Sequence, residues 1–271
     1  RPMVQQRMGA PTHRAPLKTD RVGTCSHCRK ATPTMVRIQP LALAAVALAT
    51  CYVPPVAAQA SCSSDGVPRP TAVFERFISA DCEACWADPA TPAPGPSALV
   101  LDWIVPTALG DEAPLAAAAT NDALLRLQAL GRAAPGTTDV AVLAVEGTPA
   151  HRVRVAHGLP LNDYLGTGIA FKPHRANPAD TWQYHLLLVE SVPAGAEGTP
   201  VERNLVRNML QGTWEKRHQL SKAEQTRTRF AWMENRPMRI PEGAKAEQLH
   251  MVGWVQNAQG EVVAAAQSAC R

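Results

Sequence analysis

Four cysteines follow residue 60, at positions 62, 82, 85 and 270, and their spacing constrains the fold more than any other feature of the chain. Cys82 and Cys85 form a C-x-x-C, a spacing that lets two thiols close a small ring reversibly. Cys62 and Cys270 are left at the two ends of the segment. An even cysteine number in an oxidising compartment implies pairs, and domain termini often lie close together. A Cys62–Cys270 staple is therefore expected.

The oxidising compartment is itself read from the sequence. Met35-Val36-Arg37 supplies a start-like Met and a positive charge, and residues 41–49 (LALAAVALA) are an unbroken apolar run. Pro54 and Pro55 break it, and Ala58-Gln59-Ala60 offers the small-x-small pattern of a cleavage site. Residues 35–60 thus read as a secretory signal, and the run is shorter than the roughly 20 residues of a membrane span. An uncleaved anchor is the alternative, because no charge falls between Arg37 and Asp65. A lipid attachment at Cys51 fits less well, with Thr50 before the cysteine. Residues 1–34 read as a non-native or disordered leader. Their Cys25-Ser26-His27-Cys28 has the outline of half a zinc site without a second half.

Charge divides at the same place. Residues 1–60 carry net +7 and residues 61–271 net −3. The basic balance belongs to the leader, so no nucleic-acid partner is expected, and no stable membrane insertion after signal cleavage.

Along the remaining chain, residues 71–79 (TAVFERFIS) read as a strand running into the C-x-x-C, with a short helical turn after it. Residues 98–105 (ALVLDWIV) and 140–145 (VAVLAV) read as buried strands. Residues 114–132 read as a helix stopped by Gly131, and 152–156 as a strand. Beyond residue 161, strands are expected at 166–171, 182–192, 226–234, 248–256 and 261–266, with a hairpin turn at 257–260. A short helix is expected at 199–210, from Pro200 and the spacing of Val201, Leu205 and Met209. The texture suggests an α/β domain at 61–160 and a mostly β domain at 161–271.

The ordered set of strand, C-x-x-C, helix, strand and Thr-Pro resembles the thioredoxin superfamily, and more narrowly its secreted bacterial members with an E-x-F-x-S-x-x-C-x-x-C segment. Glu75, Phe77, Ser79, Cys82 and Cys85 match that segment, and Asp102 resembles the family's next-strand aspartate. Thr148-Pro149-Ala150 resembles its Thr-Pro loop, and residues 249–266 its closing hairpin. The resemblance implies an α/β, thioredoxin-like fold with a C-terminal mostly β extension. It also implies thiol–disulfide oxidoreductase chemistry. Cys82 would then attack, Cys85 resolve, Glu75 accept a proton from a buried position, and Pro149 shape the substrate groove. Protein thiols or disulfides are the expected partners, with no cofactor and no resident metal.

Each residue has a plainer reading. Trp86 follows the second Cys rather than preceding the first, and Asp81, Glu83 and Asp88 add negative charge that disfavours a thiolate. The pair could then be a structural disulfide in a non-catalytic binding or scaffold protein, or a metal-capturing dithiol. Glu75 could face solvent, and Pro149 could simply begin a strand. Asp102 reads as a strand-end polar residue at least as well as a buried carboxylate. His151 stands near the Pro loop, and His157, His174, His185, His218 and His250 show no ligand spacing. The Arg and Lys residues between 203 and 239 read as the wet face of strands. Trp182, Trp214, Trp232 and Trp254 read as core.

Overall fold

The structure, a computed structural model, describes residues 62–90, 95–175 and 180–270. The leader, the signal and the Cys25–Cys28 motif lie outside the described residues. Of those described, 46% are strand and 16% helical, in two sheets, so the chain is mostly β rather than α/β.

The strands are β1 (Cys62–Ser63), β2 (Ala72–Ser79), β3 (Ala98–Val105), β4 (Thr138–Ala144), β5 (Arg152–Leu161) and β6 (Tyr164–Lys172). They continue with β7 (Trp182–Val192), β8 (Arg203–Trp214), β9 (Trp232–Arg239), β10 (Leu249–Gln256), β11 (Val262–Gln267) and β12 (Ala269–Cys270). Three α-helices are present among the described residues: α1 (Glu83–Trp86), α2 (Asn121–Ala129) and α3 (Lys222–Thr228). None is long and apolar enough to cross a membrane.

One sheet has five strands, ordered β12-β1-β5-β6-β9, and the other seven, ordered β11-β10-β7-β8-β3-β2-β4. Both sheets take strands from either side of residue 160, and β5 itself spans that position. The five-stranded sheet packs on one face of the β7, β10 and β11 region. Val155, Leu165, Ile169 and Phe171 meet Leu186, Leu188, Met251 and Val255 there. Gly253 permits the approach, since a Cβ there would lie 2.7 Å from Val155 Cγ1. Trp182, Trp214 and Trp232 surround Phe171 at ring distances of 5.0, 6.5 and 6.3 Å, the core role expected of them.

The seven-stranded sheet curls until its edges touch. Val145, just past β4, forms a parallel bridge with Val262, and the Glu146 N–H donates to the Val262 carbonyl at 2.8 Å. Gly147 makes this crossing, because a Cβ there would overlap the Val263 carbonyl oxygen at 1.5 Å. The other face of this sheet carries a second core of Phe77, Leu101, Trp103, Leu187 and Trp254, into which α2 presents Ala123 and Leu127. Thr120 caps α2 by accepting from the Asp122 N–H at 3.2 Å.

Two expected elements change identity. Residues 199–210 do not form a helix: β8 runs from Arg203 to Trp214 and pairs antiparallel with β7 along its length. Val201, Leu205 and Met209 satisfy a four-residue spacing, but positions four apart also share one face of a strand. The expected strand at 226–234 is α3 followed by β9, with Arg229 in the left-handed region (φ 66°) as the helix stop. The helix expected at 114–132 contracts to α2, preceded by 3-10 turns at Gly110–Glu112 and Ala116–Ala118.

One buried and one half-buried imidazole give the fold an acid limit. Burial, helped by the Arg126 charge, lowers His185 to about 3, and burial lowers His250 to about 4. An unfolded histidine takes up its proton near pH 6.5, so this stability is present above that pH and lost as pH falls. Asp102 acts oppositely. Burial pushes it up to about 6 against Arg76 and the Asn204 N–H, so between about 4 and 6 the folded state holds a proton the unfolded chain has lost. Two groups outweigh one, and the protein is expected to be about 2–3 kcal/mol less stable at pH 5 than at pH 7. Urea midpoints at the two pH values measure this, and a midpoint that does not fall would contradict it.

Candidate functional site

β2 and β3 are parallel neighbours, pairing from Ala72↔Ala98 to Ser79↔Val105, so their carboxyl ends lie together. The C-x-x-C follows β2 at that end. The Cys82 N–H donates to the Ser79 carbonyl at 2.9 Å, and the Cys82 carbonyl accepts from the N–H groups of Cys85 and Trp86 at 3.0 and 3.3 Å. Cys82 is the N-cap of the single turn α1, and its sulfur is bonded to Cys85. Both cysteines are half-buried. Asp81 is held to the start of the next loop, accepting from Thr107 Oγ1 at 2.5 Å.

Beneath α1 lies a buried charge cluster. Register sets Arg76 directly beside Asp102, with Nη1 to Oδ1 at 3.3 Å. Arg203 Nη1 stands 3.6 Å from the same oxygen, and the Asn204 N–H donates to Oδ2 at 3.0 Å. The Arg203 guanidinium stacks over the Trp86 ring at 5.4 Å. It donates to the carbonyls of Trp86 and Asp88 at 2.8 and 3.0 Å and to Thr199 Oγ1 at 3.2 Å. Trp86 Nε1–H donates to the Glu197 carbonyl at 2.7 Å. Arg203 and Trp86 thus clamp the C-x-x-C turn to β8 and to the 193–199 loop. With Asp102 ionised, two arginines face one carboxylate, leaving one net positive charge under the turn. A cavity of about 300 Å³ opens beside Trp86, lined also by Leu115, Ala118, Glu190, Arg207 and Glu242.

The other expected site residues lie elsewhere. Glu75 is fully buried on the opposite face of β2, where both its oxygens accept from Arg126 at 2.6 to 3.1 Å. Trp103 Nε1–H also donates to it, at 3.2 Å. The side chain is neither solvent-facing nor beside the sulfurs. Pro149 is exposed and follows β4, which runs antiparallel to β2 from Ile78↔Thr138 to Ala72↔Ala144. That places the Thr-Pro loop roughly 20 Å along the sheet from the C-x-x-C end. There the Pro149 carbonyl accepts from Arg69, and His151 stacks on Phe171 at 6.0 Å, beside a separate cavity of about 380 Å³. The C-x-x-C end instead carries Pro106, directly after β3 and before the Thr107 that bonds Asp81, and Pro135, in the loop whose Thr137 carbonyl accepts from the Ser79 N–H at 2.8 Å.

Cys62 and Cys270 are bonded, and they are directly opposed on β1 and β12. Asp102 is 1% exposed in mid-strand rather than a strand-end polar residue, and Arg203 (1%) is internal rather than on a wet face. A signal for this was present in the sequence. Glu75 and Arg76 are adjacent in an apolar strand, so they point to opposite faces, and each needs an opposite charge once both faces are covered.

No family model and no curated protein matches the chain. Among solved structures, it is similar to HBP35 of Porphyromonas gingivalis, with a TM-score of 0.46 and 10% identity over 73% of this chain and 74% of that one. It is also similar to a DUF3823 family protein from Bacteroides ovatus ATCC 8483, with a TM-score of 0.27 and 16% identity over 50% and 64% of the two chains. At these values neither likeness carries an argument about function. The thioredoxin-superfamily resemblance is not upheld. No thioredoxin family model matches, the chain is mostly β in two sheets, and the Thr-Pro loop stands at the wrong end of the sheet. What the chain shares with that superfamily is local: a strand, a C-x-x-C and a parallel neighbouring strand.

Proposed function

We propose that this is an exported, periplasmic or secreted protein whose Cys82–Cys85 pair exchanges with protein thiols or disulfides. The observation that carries the reading is the position of the pair. It sits half-exposed on a one-turn helix at the joined carboxyl ends of β2 and β3, and Arg203 holds the carbonyls of Trp86 and Asp88 that follow it. The chemistry needs only the two sulfurs. The Cys82 thiolate attacks a substrate disulfide, forming a mixed disulfide and expelling one substrate thiolate. The Cys85 thiolate then attacks Cys82 Sγ, closing the ring and expelling the second. Two electrons pass to the substrate, and an external dithiol restores the reduced pair.

The acids at 81, 83 and 88 oppose a thiolate and argue against a strong oxidant, whose reduced form must be stabilised. The expected direction is therefore reduction of substrate disulfides. The full-length protein should accelerate reduction of insulin by dithiothreitol, and Cys82→Ser or Cys85→Ser should abolish the acceleration. An unaccelerated reaction with the native protein would sink the proposal. It would favour the second reading, a non-catalytic binding protein stapled by two disulfides, which the remote position of Pro149 supports.

A further inference from the structure

A second cysteine site joins the two ends of the described chain, Cys62 and Cys270, and is completed by a histidine that no spacing pattern singles out. β1 is the middle strand of β12-β1-β5, and Cys62 is directly opposite Cys270 on one side and His157 on the other. Directly opposed residues point to the same face of a sheet, with Cβ atoms about 4.5–5.5 Å apart. The two Sγ atoms and one imidazole nitrogen accordingly lie within 4.8 Å of one another. Among the described residues, this is the one group of three or more His, Cys, Asp and Glu side chains so arranged, and Cys82–Cys85 gathers no third ligand.

One ring nitrogen of His157 is fixed by the backbone. Its Nδ1 is 2.8 Å from the Gly158 carbonyl oxygen. A carbonyl only accepts, so Nδ1 carries the proton and Nε2 bears the lone pair. A backbone carbonyl fixing one ring nitrogen while the other ligates is the usual outer support of a metal-bound imidazole. Cys62 and His157 are each 5% exposed, whereas Cys270 is exposed, which leaves one side open for ion entry.

We propose that, when the Cys62–Cys270 disulfide is reduced, its two thiolates and His157 bind one thiophilic d10 cation, Zn2+ or Cu+. A dithiol delivers two electrons and two protons to the disulfide and becomes a disulfide itself. The two protein thiols then lose their protons as they ligate. Each sulfur binds at about 2.3 Å and the imidazole nitrogen at about 2.0 Å, with the sulfurs about 3.8 Å apart. Two thiolates and one imidazole form a soft set that selects Cu+ or Zn2+ over hard cations. Disulfide and metal therefore exclude each other at this site.

The test uses the full chain with Cys25, Cys28, Cys51, Cys82 and Cys85 replaced by serine. The protein is reduced without oxygen and titrated with Zn2+, and separately with Cu+, against a chromophoric chelator. The expected result is one ion bound per chain after reduction and none before, with affinity lowered at least tenfold by His157→Gln. Co2+ loading should add a sulfur-to-metal charge-transfer band. Near-UV circular dichroism follows the fold throughout. Absence of stoichiometric binding overturns the proposal, as does equal affinity in His157→Gln. It is also overturned if the reduced chain loses its native signal and neither ion restores it.

Discussion

Replacing Arg126 with leucine is expected to lower the unfolding free energy by about 3–5 kcal/mol at pH 7, the cost of stranding a buried charge. Glu75 is 0% exposed and Arg126 2%, and three N–H···O contacts of 2.6 to 3.1 Å join them. The guanidinium also covers the Trp254 ring at 5.0 Å. Without it, Glu75 keeps only the Trp103 N–H as a side-chain donor among the described residues. The pair connects α2 to β2, the strand that delivers Cys82, so its loss should loosen the helix from the curled sheet. Replacing both residues with leucine should recover much of the loss, because no charge is then left buried. Urea unfolding of the three variants measures this. A cost below about 1 kcal/mol for Arg126→Leu would show that the pair is not the dry contact described.

Removing the Cys62–Cys270 bond is the second large effect. The bond closes a loop with a sequence separation of 208, for which the chain-entropy relation gives about 5 kcal/mol. The Cys82–Cys85 bond has a separation of 3, and the same relation gives about 2 kcal/mol. Cys62→Ser with Cys270→Ser should therefore cost clearly more than Cys82→Ser with Cys85→Ser. A domain of this size is stable by roughly 5–15 kcal/mol, so the first double variant approaches the folding limit at 37 °C. Equal midpoints for the two double variants would contradict the assignment of the long-range bond as the staple.

Much of the local structure was legible in the sequence, and the global arrangement was not. Residues 98–105 and 182–192 read as strands and are strands with those bounds, because apolar runs of that length suit a sheet covered on both faces. The turn at 257–260 joins an antiparallel hairpin, as its Asn and Gly imply. β8 was illegible because positions four apart share one face of a strand as they do of a helix, so a four-residue spacing fits both equally well. The sheet order was illegible for another reason. Nothing local says that β8 inserts between β7 and β3, or that residues past β4 reach β11. The site was half legible. Cys82 and Cys85 announce themselves, whereas Arg203 acquires its role only when β8 is placed beside β3 and α1 folds over it. His157 joins Cys62 and Cys270 through strand pairings spanning most of the chain, which no sequence spacing encodes.

The most direct test of the account is a redox titration of the full chain, with thiols trapped at each potential and mapped by mass spectrometry. The account predicts that Cys82–Cys85 opens well above about −300 mV with the fold intact, while Cys62–Cys270 stays closed until below about −300 mV. If both bonds open together only under strong reduction, with loss of the folded signal, the exchange function is contradicted.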